Sequence, residues 1–256
     1  FGQHFLKDAA IVNHMIAAVN PQLDDHLVEI GPGMGVLTQE LLPLVTALDA
    51  VELDRDIIPK LKAVCLPLGK LCIHSADALR FDYCALVNAQ EKLRIVGNLP
   101  YNISTPLLFH LIDQIHCIAD MHFMLQKEVV DRIAALPNSS DYGKLSIMVQ
   151  WHCYAERLFD VSPEAFSPPP KVDSAVVRLV PHTKPPVQVS DRNAFTHIVT
   201  QAFAQRRKTL RNNLKKCLAV DAIEAAGIDP QRRAETLTLQ EFAQLANSYS
   251  DQLAQQ

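Results

Sequence analysis

The sequence has no apolar run approaching the ~18 residues that a membrane span needs, and no segment with the pattern of a signal peptide. A membrane protein and a secreted one are both unexpected, and the cytoplasm is the expected compartment. The chain opens at Phe1 without a methionine, so trimming at the N-terminus is expected. A surplus of positive charge is also missing: 24 Lys and Arg stand against 28 Asp and Glu, for a net charge of −4. Any nucleic-acid partner must therefore be met by a local basic surface. The cysteines at 65, 72, 84, 117, 153 and 217 form no C-x-x-C pair, and the histidines show no zinc-ligand spacing. No metal is expected, and the thiols read as buried and reduced. Internal repeats and low-complexity tracts are absent. What remains is 256 residues, 48% hydrophobic, enough for one large α/β domain with a small appendage and no need of disulfides.

Short runs of Val, Ile and Leu predict strands at 27–30, 47–52, 71–74, 93–97, 121–125, 149–155 and 174–180. Helical patterns fall between them at about 8–19, 35–43, 56–64, 104–113, 127–135 and 142–148. Such alternation predicts a mostly parallel sheet with helices on both faces. The last two strands lack a crossover helix and read as an antiparallel pair at one edge. The proline-bearing stretch 181–190 reads as a linker, and 191–256 as a small helical domain.

The segment Leu27-Val28-Glu29-Ile30-Gly31-Pro32-Gly33-Met34-Gly35 is a strand entering a glycine-rich turn and then a helix. Glycine lets the backbone turn sharply and approach a ligand closely. The spacing is G-x-G-x-G, not the G-x-G-x-x-G of dinucleotide enzymes. Glu52 ends the next strand, where its carboxylate can accept hydrogen bonds from both hydroxyls of a ribose. Asp77 closes the strand after that and is placed to accept from an adenine amine. Either acid alone reads as a solvated loop residue. Together, beside Gly31 and Gly33, they point to an adenosine-bearing ligand.

After the strand at 93–97 comes Asn98-Leu99-Pro100-Tyr101. An aromatic amine such as adenine N6 is a poor nucleophile, because its lone pair is conjugated with the ring. Attack on a sulfonium methyl requires that lone pair to be freed and aimed. The Asn98 side-chain oxygen and the Leu99 carbonyl can each accept one N–H, which favours the pyramidal amine as it becomes cationic. Pro100 stiffens the turn. Tyr101 offers a face for the base to stack on, worth ~1–3 kcal/mol. No strong general base is needed, since the attacking nitrogen becomes acidic.

Three further stretches frame these motifs: Phe1-Gly2-Gln3-His4-Phe5-Leu6, the continuation of the tetrapeptide to Pro106 (NLPYNISTP), and Phe166-Ser167-Pro168-Pro169-Pro170-Lys171-Val172-Asp173-Ser174. With EIGPGMG, they make the chain resemble the ribosomal RNA small-subunit adenine dimethyltransferase family, in particular its bacterial kasugamycin-resistance branch, from Phe1 to about Asn247. The resemblance implies a Rossmann-like class I methyltransferase sheet with an antiparallel edge strand, over 1–184, and a helical C-terminal RNA-binding domain over 185–256. It implies N6,N6-dimethylation of two adjacent adenosines in the 3′-terminal hairpin loop of 16S rRNA, in the immature 30S subunit, with S-adenosylmethionine as donor. A role in small-subunit biogenesis and a monomeric state are expected with it. Carried across by position, cofactor contacts fall on His4, Leu6, Gly31, Gly33, Glu52, Asp77 and Asn98. Members commonly have asparagine where this chain has His4. Phe166 is expected to pack on the target adenine opposite Tyr101; the alternative is a core phenylalanine that fixes the loop.

The run from Gln205 to Lys216 holds six basic residues and no acid. On a helix, Lys208, Arg211 and Lys215 would share a face. With Arg206 and Arg207 they form the expected RNA-phosphate stripe, although a solvated helix face would look the same. Other readings remain open: a dinucleotide dehydrogenase, a DNA adenine or protein glutamine methyltransferase, or a non-catalytic assembly factor. The first has no use for Asn-Leu-Pro-Tyr, and the flanking segments argue against the second.

Overall fold

The computed structural model describes residues 4–254. Phe1, Gly2 and Gln3 of the opening segment lie outside the described residues. The chain forms two compact units, one made of the residues up to Val130 with Tyr154–Pro181, the other of Asp131–Cys153 with the residues from His182 onward.

The first unit is built on strands β1 (Phe5–Leu6), β2 (His26–Ile30), β3 (Leu48–Glu52), β4 (Leu71–Ser75), β5 (Leu93–Asn98), β6 (Ile118–Gln126), β7 (Cys153–Val161), β8 (Phe166–Ser167) and β9 (Ser174–Pro181). Seven of them form one sheet in the order β4-β3-β2-β5-β6-β9-β7. β4, β3, β2, β5 and β6 run parallel, and β9 runs antiparallel to β6. Near-continuous apolar runs account for the parallel part, since helices cover both faces of such a sheet. From β2 the chain winds outward to β4, then returns to place β5 on the other side of β2. The crevice between the C-terminal ends of β2 and β5 is thus the topological switch point, where open α/β sheets bind ligands.

Local chemistry sets the helices. In α1 (Ala9–Val19) the Asp8 side chain caps the N-terminus, accepting from the backbone N–H groups of Ala10 and Ile11 at 2.8 and 3.3 Å. Its core face carries Val12, Met15 and Val19. α2 (Val36–Leu41) and α3 (Ile58–Cys65) each end in a tight 3-10 turn of sequence Leu-Pro-Leu. The helix expected over 35–43 is shorter for that reason: Pro43 has no N–H to continue the ladder. α4 (Ser104–Asp113) covers the residues expected of it. At Gly97 an added Cβ would stand 2.7 Å from the Ile30 carbonyl oxygen, so only glycine lets β5 lie this close to the end of β2.

The second unit holds α6 (Lys144–His152), α7 (Arg192–Ala202), α8 (Leu210–Asn213), α9 (Val220–Ala225) and α10 (Leu239–Ala254), while α5 (Lys127–Ala134) spans the junction. The boundary expected at 184/185 therefore misses Asp131–Cys153, which cluster with the helical residues. The strand expected at 149–155 is corrected too. Residues up to His152 are helical, and the strand runs from Cys153 to Val161. A short apolar run does not distinguish a buried helix from a strand, and Trp151 spends its indole on Phe195, with ring centroids 4.3 Å apart. The stretch 181–190 is largely irregular but not loose. Asn247 pins it by donating to the Gln188 carbonyl and accepting from the Ser190 N–H, at 3.0 and 2.9 Å.

The cysteines depart from expectation. Cys65, Cys153 and Cys217 are buried free thiols, but Cys72 is exposed, and Cys84 and Cys117 are disulfide-bonded. Gln114 brings that pair together: its Oε1 accepts from the N–H groups of Tyr83 and Cys84 at 2.7 and 3.3 Å, three residues before Cys117.

Candidate active site

A cavity of about 280 Å³ opens at the switch point. Its floor is the loop after β2, where Gly31, Gly33 and Gly35 take φ of 65°, 55° and 82°, a region that L side chains rarely adopt. Facing the loop are the ends of β3, β4 and β5, which bring Glu52, Asp77 and Asn98 to one space. The opening segment closes one side with His4, Phe5 and Leu6.

Each polar group is held with capacity to spare. Glu52 is 4% exposed, and its two oxygens accept from the N–H groups of Gly33 (3.2 Å) and Asp54 (2.9 Å). A carboxylate oxygen has a second lone pair, so both can still accept from hydroxyls. Asp77 accepts from the Leu79 N–H through Oδ1 at 2.9 Å, which leaves Oδ2 for an amine. Asn98 donates from Nδ2 to the His4 carbonyl at 3.3 Å, so its amide oxygen is the group left to accept. The Tyr101 hydroxyl bonds to Ser174 Oγ at 2.7 Å, and burial pushes the phenol above its usual range, which keeps it neutral.

The two flanking segments meet here. β1 pairs antiparallel with β8, Phe5 opposite Ser167 and Leu6 opposite Phe166. The His4 ring bonds through Nδ1 to the Pro168 carbonyl at 2.7 Å and stacks on Tyr101 at 5.9 Å between centroids. For Phe166 the core alternative is the one observed in this structure. The residue is 1% exposed, packed in the core with Leu6, Met124 and Val176, and it does not line the cavity. Its pairing with Leu6 turns the ring inward, so it fixes the loop as a core residue.

Sequence reasoning missed Glu29 as a wall residue. It is 2% exposed, accepts from Thr38 Oγ1 at 2.6 Å, and lines the cavity beneath the glycine loop. Burial, with a smaller push from Glu52 and against the Thr38 hydrogen bond, raises its carboxyl to about 7. The signal was legible: a lone acid in an otherwise apolar strand must be neutralised or bonded.

The basic run is also corrected. α8 is a single turn, so Lys208 and Lys215 lie outside it. The Leu210 and Arg211 N–H groups bond to the carbonyls of Arg232 and Pro230 at 2.8 and 2.9 Å, so the helix starts there. Arg206 is engaged with the Ser140 carbonyl and Glu235. Arg207, Lys208, Arg211, Lys215 and Lys216 are all exposed, and no acid among the described residues pairs with them.

A parallel sheet with an antiparallel return strand, and a glycine-loop cavity at its switch point, define a class I methyltransferase. A family model described as ribosomal RNA adenine dimethylase matches residues 1–251. The chain belongs to that family. It is 56% identical over 251 residues to ribosomal RNA small subunit methyltransferase A of Laribacter hongkongensis, covering 98% of this chain and 95% of the relative. It is 53% identical over 251 residues to the protein of that name from Pseudomonas aeruginosa, covering 98% and 94%. Among solved structures it is similar to a dimethyladenosine transferase from Plasmodium falciparum, with a TM-score of 0.81, 26% identity, and 97% and 98% of the two chains covered. The 23S rRNA methyltransferase ErmE shares the fold, with a TM-score of 0.74 over 96% of this chain and 99% of that one, at 21% identity.

Proposed function

We propose that the protein uses S-adenosylmethionine to dimethylate N6 of two adjacent adenosines in the 3′-terminal hairpin loop of 16S rRNA, acting as a monomer in the cytoplasm on the immature 30S subunit. The observation that carries this reading is the Asn98 amide, oriented by the His4 carbonyl and bordering the same cavity as Glu52 and Asp77. The relatives' names, which specify the small ribosomal subunit, support the choice of RNA.

The cavity suits an adenosyl ligand. Glu52 offers two acceptor oxygens for ribose hydroxyls, Asp77 one for an amine, and Ala78, Leu53 and Ile103 an apolar lining. When bound, S-adenosylmethionine supplies a methyl group activated on a sulfonium. Asn98 Oδ1 and the Leu99 carbonyl accept the two N–H groups of the target amine, holding its lone pair out of the ring and stabilising the positive charge it gains. Pro100 keeps these acceptors in register. Tyr101, fixed by Ser174 and His4, presents its ring to the base. The exposed cations Arg207, Lys208, Arg211 and Lys215 meet RNA phosphates. The same surface lets the protein dock on assembling subunits, as a biogenesis factor does, independently of methyl transfer.

The test is to incubate the protein with unmethylated 30S particles and labelled S-adenosylmethionine, then map the label. The expected product carries two methyl groups on each of two neighbouring adenosines near the 3′ end of 16S rRNA. Label elsewhere in the RNA, or in protein alone, contradicts the reading.

A further inference from the structure

The edge of the sheet carries a second cluster of chemistry, unrelated to the cofactor contacts. β3 and β4 pair in parallel with Asp49 opposite Cys72 and Val51 opposite His74. Residues i and i+2 of a strand share a face, so Cys72, His74 and Asp49 project together. One ligand atom from each lies within 4.8 Å of the other two. His26, at the start of β2, reaches the same carboxylate: its Nε2 is 2.9 Å from Asp49 Oδ2, while His74 Nε2 is 2.6 Å from Oδ1. The cluster is open to solvent, with the Asp49 and His74 side chains 15% and 24% exposed and Cys72 exposed. The Phe81 ring, 5.1 Å from that of His74, limits the swing of the imidazole.

Hydrogen bonding alone accounts for the two histidines on Asp49. The Cys72 thiol bonds to the same carboxylate, yet it stays solvent-facing and within ligand reach of both Asp49 and His74. We propose that Asp49, Cys72 and His74 bind a divalent transition metal of the zinc class, with His26 as the outer group that orients the Asp49 carboxylate. A thiolate with an imidazole selects zinc or cobalt over magnesium and calcium. Metal–ligand bonds of about 2.0–2.3 Å require the three atoms to draw in, a movement that side-chain rotation supplies. A fourth position faces solvent and takes water. As the metal binds, the Cys72 proton leaves to solvent; the proton that His74 Nε2 donates to Asp49 is also released, and Nδ1 takes one up from solvent, so that a thiolate and a neutral imidazole face the metal. Because the thiol must lose its proton to bind, affinity rises with pH.

Position gives the site a consequence. Asp49 and His74 each stand three residues before a cofactor acid, Glu52 and Asp77. A metal there would brace the two strands that deliver both acids. Sequence spacing hid the site because its ligands come from neighbouring strands, not from a C-x-x-C turn. Among the described residues the other cluster of this kind, Cys84, His116 and Cys117, has its two sulfurs bonded to each other.

The test is a cobalt(II) titration of the full chain in a phosphine reductant, read by visible absorption. The expected result is one cobalt per chain, with a thiolate charge-transfer band. That band should vanish in Cys72→Ser and weaken strongly in His74→Gln. His26→Gln should keep it while zinc affinity falls about 10–100-fold, the usual cost of losing an outer-shell partner. Zinc should raise the melting temperature of the parent but not of Cys72→Ser. Cys217, 3.3 Å from His197, is another thiol–imidazole pair among the described residues, and Cys217→Ser should leave the band intact. The reductant also opens the Cys84–Cys117 bond. The proposal is overturned by the absence of a band in the parent, by a band that survives Cys72→Ser, or by one lost instead in Cys84→Ser or Cys217→Ser.

Discussion

Replacing Glu29 with glutamine isolates the electrostatic strain built into the floor of the cofactor cavity. The Glu29 carboxyl is buried, bonded to Thr38 Oγ1, and raised from 4.5 to about 7. The neutral acid is thus the form the fold prefers. A carboxyl whose pKa is higher in the folded state contributes stability that is fully present below about 4.5 and is lost as pH rises through about 7. At about 1.36 kcal/mol per pH unit, the full loss is about 3 kcal/mol, most of it, about 2.5 kcal/mol, falling between pH 5 and pH 8. Glutamine is neutral throughout and keeps an acceptor oxygen for Thr38. Relative to the parent, Glu29→Gln should therefore gain about 2.5 kcal/mol between pH 5 and pH 8. Denaturant unfolding of both proteins at the two pH values measures this directly, because the other titrating groups cancel in the difference. A stability gap that stays constant with pH would refute the reasoning and place an ionised Glu29 in the fold at no cost.

Two further outcomes follow from the site and the basic run. Glu52→Ala should weaken S-adenosylmethionine binding by about 1.5–3 kcal/mol, the range for a lost charged hydrogen bond, and calorimetry showing unchanged affinity would remove Glu52 from the site. Changing Arg207, Lys208 and Arg211 to glutamine should weaken binding to ribosomal RNA and flatten its salt dependence while leaving cofactor affinity alone. An unaltered salt slope would make these cations ordinary solvated surface.

Strand positions and the acids that line the cavity were legible because they rest on local patterns. Apolar runs ending in Glu52 or Asn98 state both the strand and the place of its last side chain, and Asp77 follows the end of its strand by two residues. What escaped was set by distant partners. The sequence 149–155 reads as a strand until Phe195 is known to sit on Trp151. The helix expected through Lys208–Lys215 is cut short because the Leu210 and Arg211 N–H groups are taken by Arg232 and Pro230. Phe166 matched a family motif, yet its register against Leu6 buries the ring. The Cys84–Cys117 bond joins distant segments that Gln114 ties by accepting from the Tyr83 and Cys84 N–H groups, and no spacing rule carries that information. His4 is the converse case. It departs from the common asparagine, and the structure shows its backbone carbonyl holding Asn98 while its ring braces Pro168 and Tyr101.

The account rests on Asn98 acting on the target amine, and single-turnover methylation of unmethylated 30S particles by Asn98→Ala tests it most directly. Asn98 borders the cofactor cavity, so S-adenosylmethionine must be saturating. Removing one preorganised polar group of this kind costs ~10²–10³ in rate. The predicted result is a fall of that size in the methylation rate, with 30S binding, measured beside it, close to that of the parent. Methylation at the parental rate would contradict the mechanism.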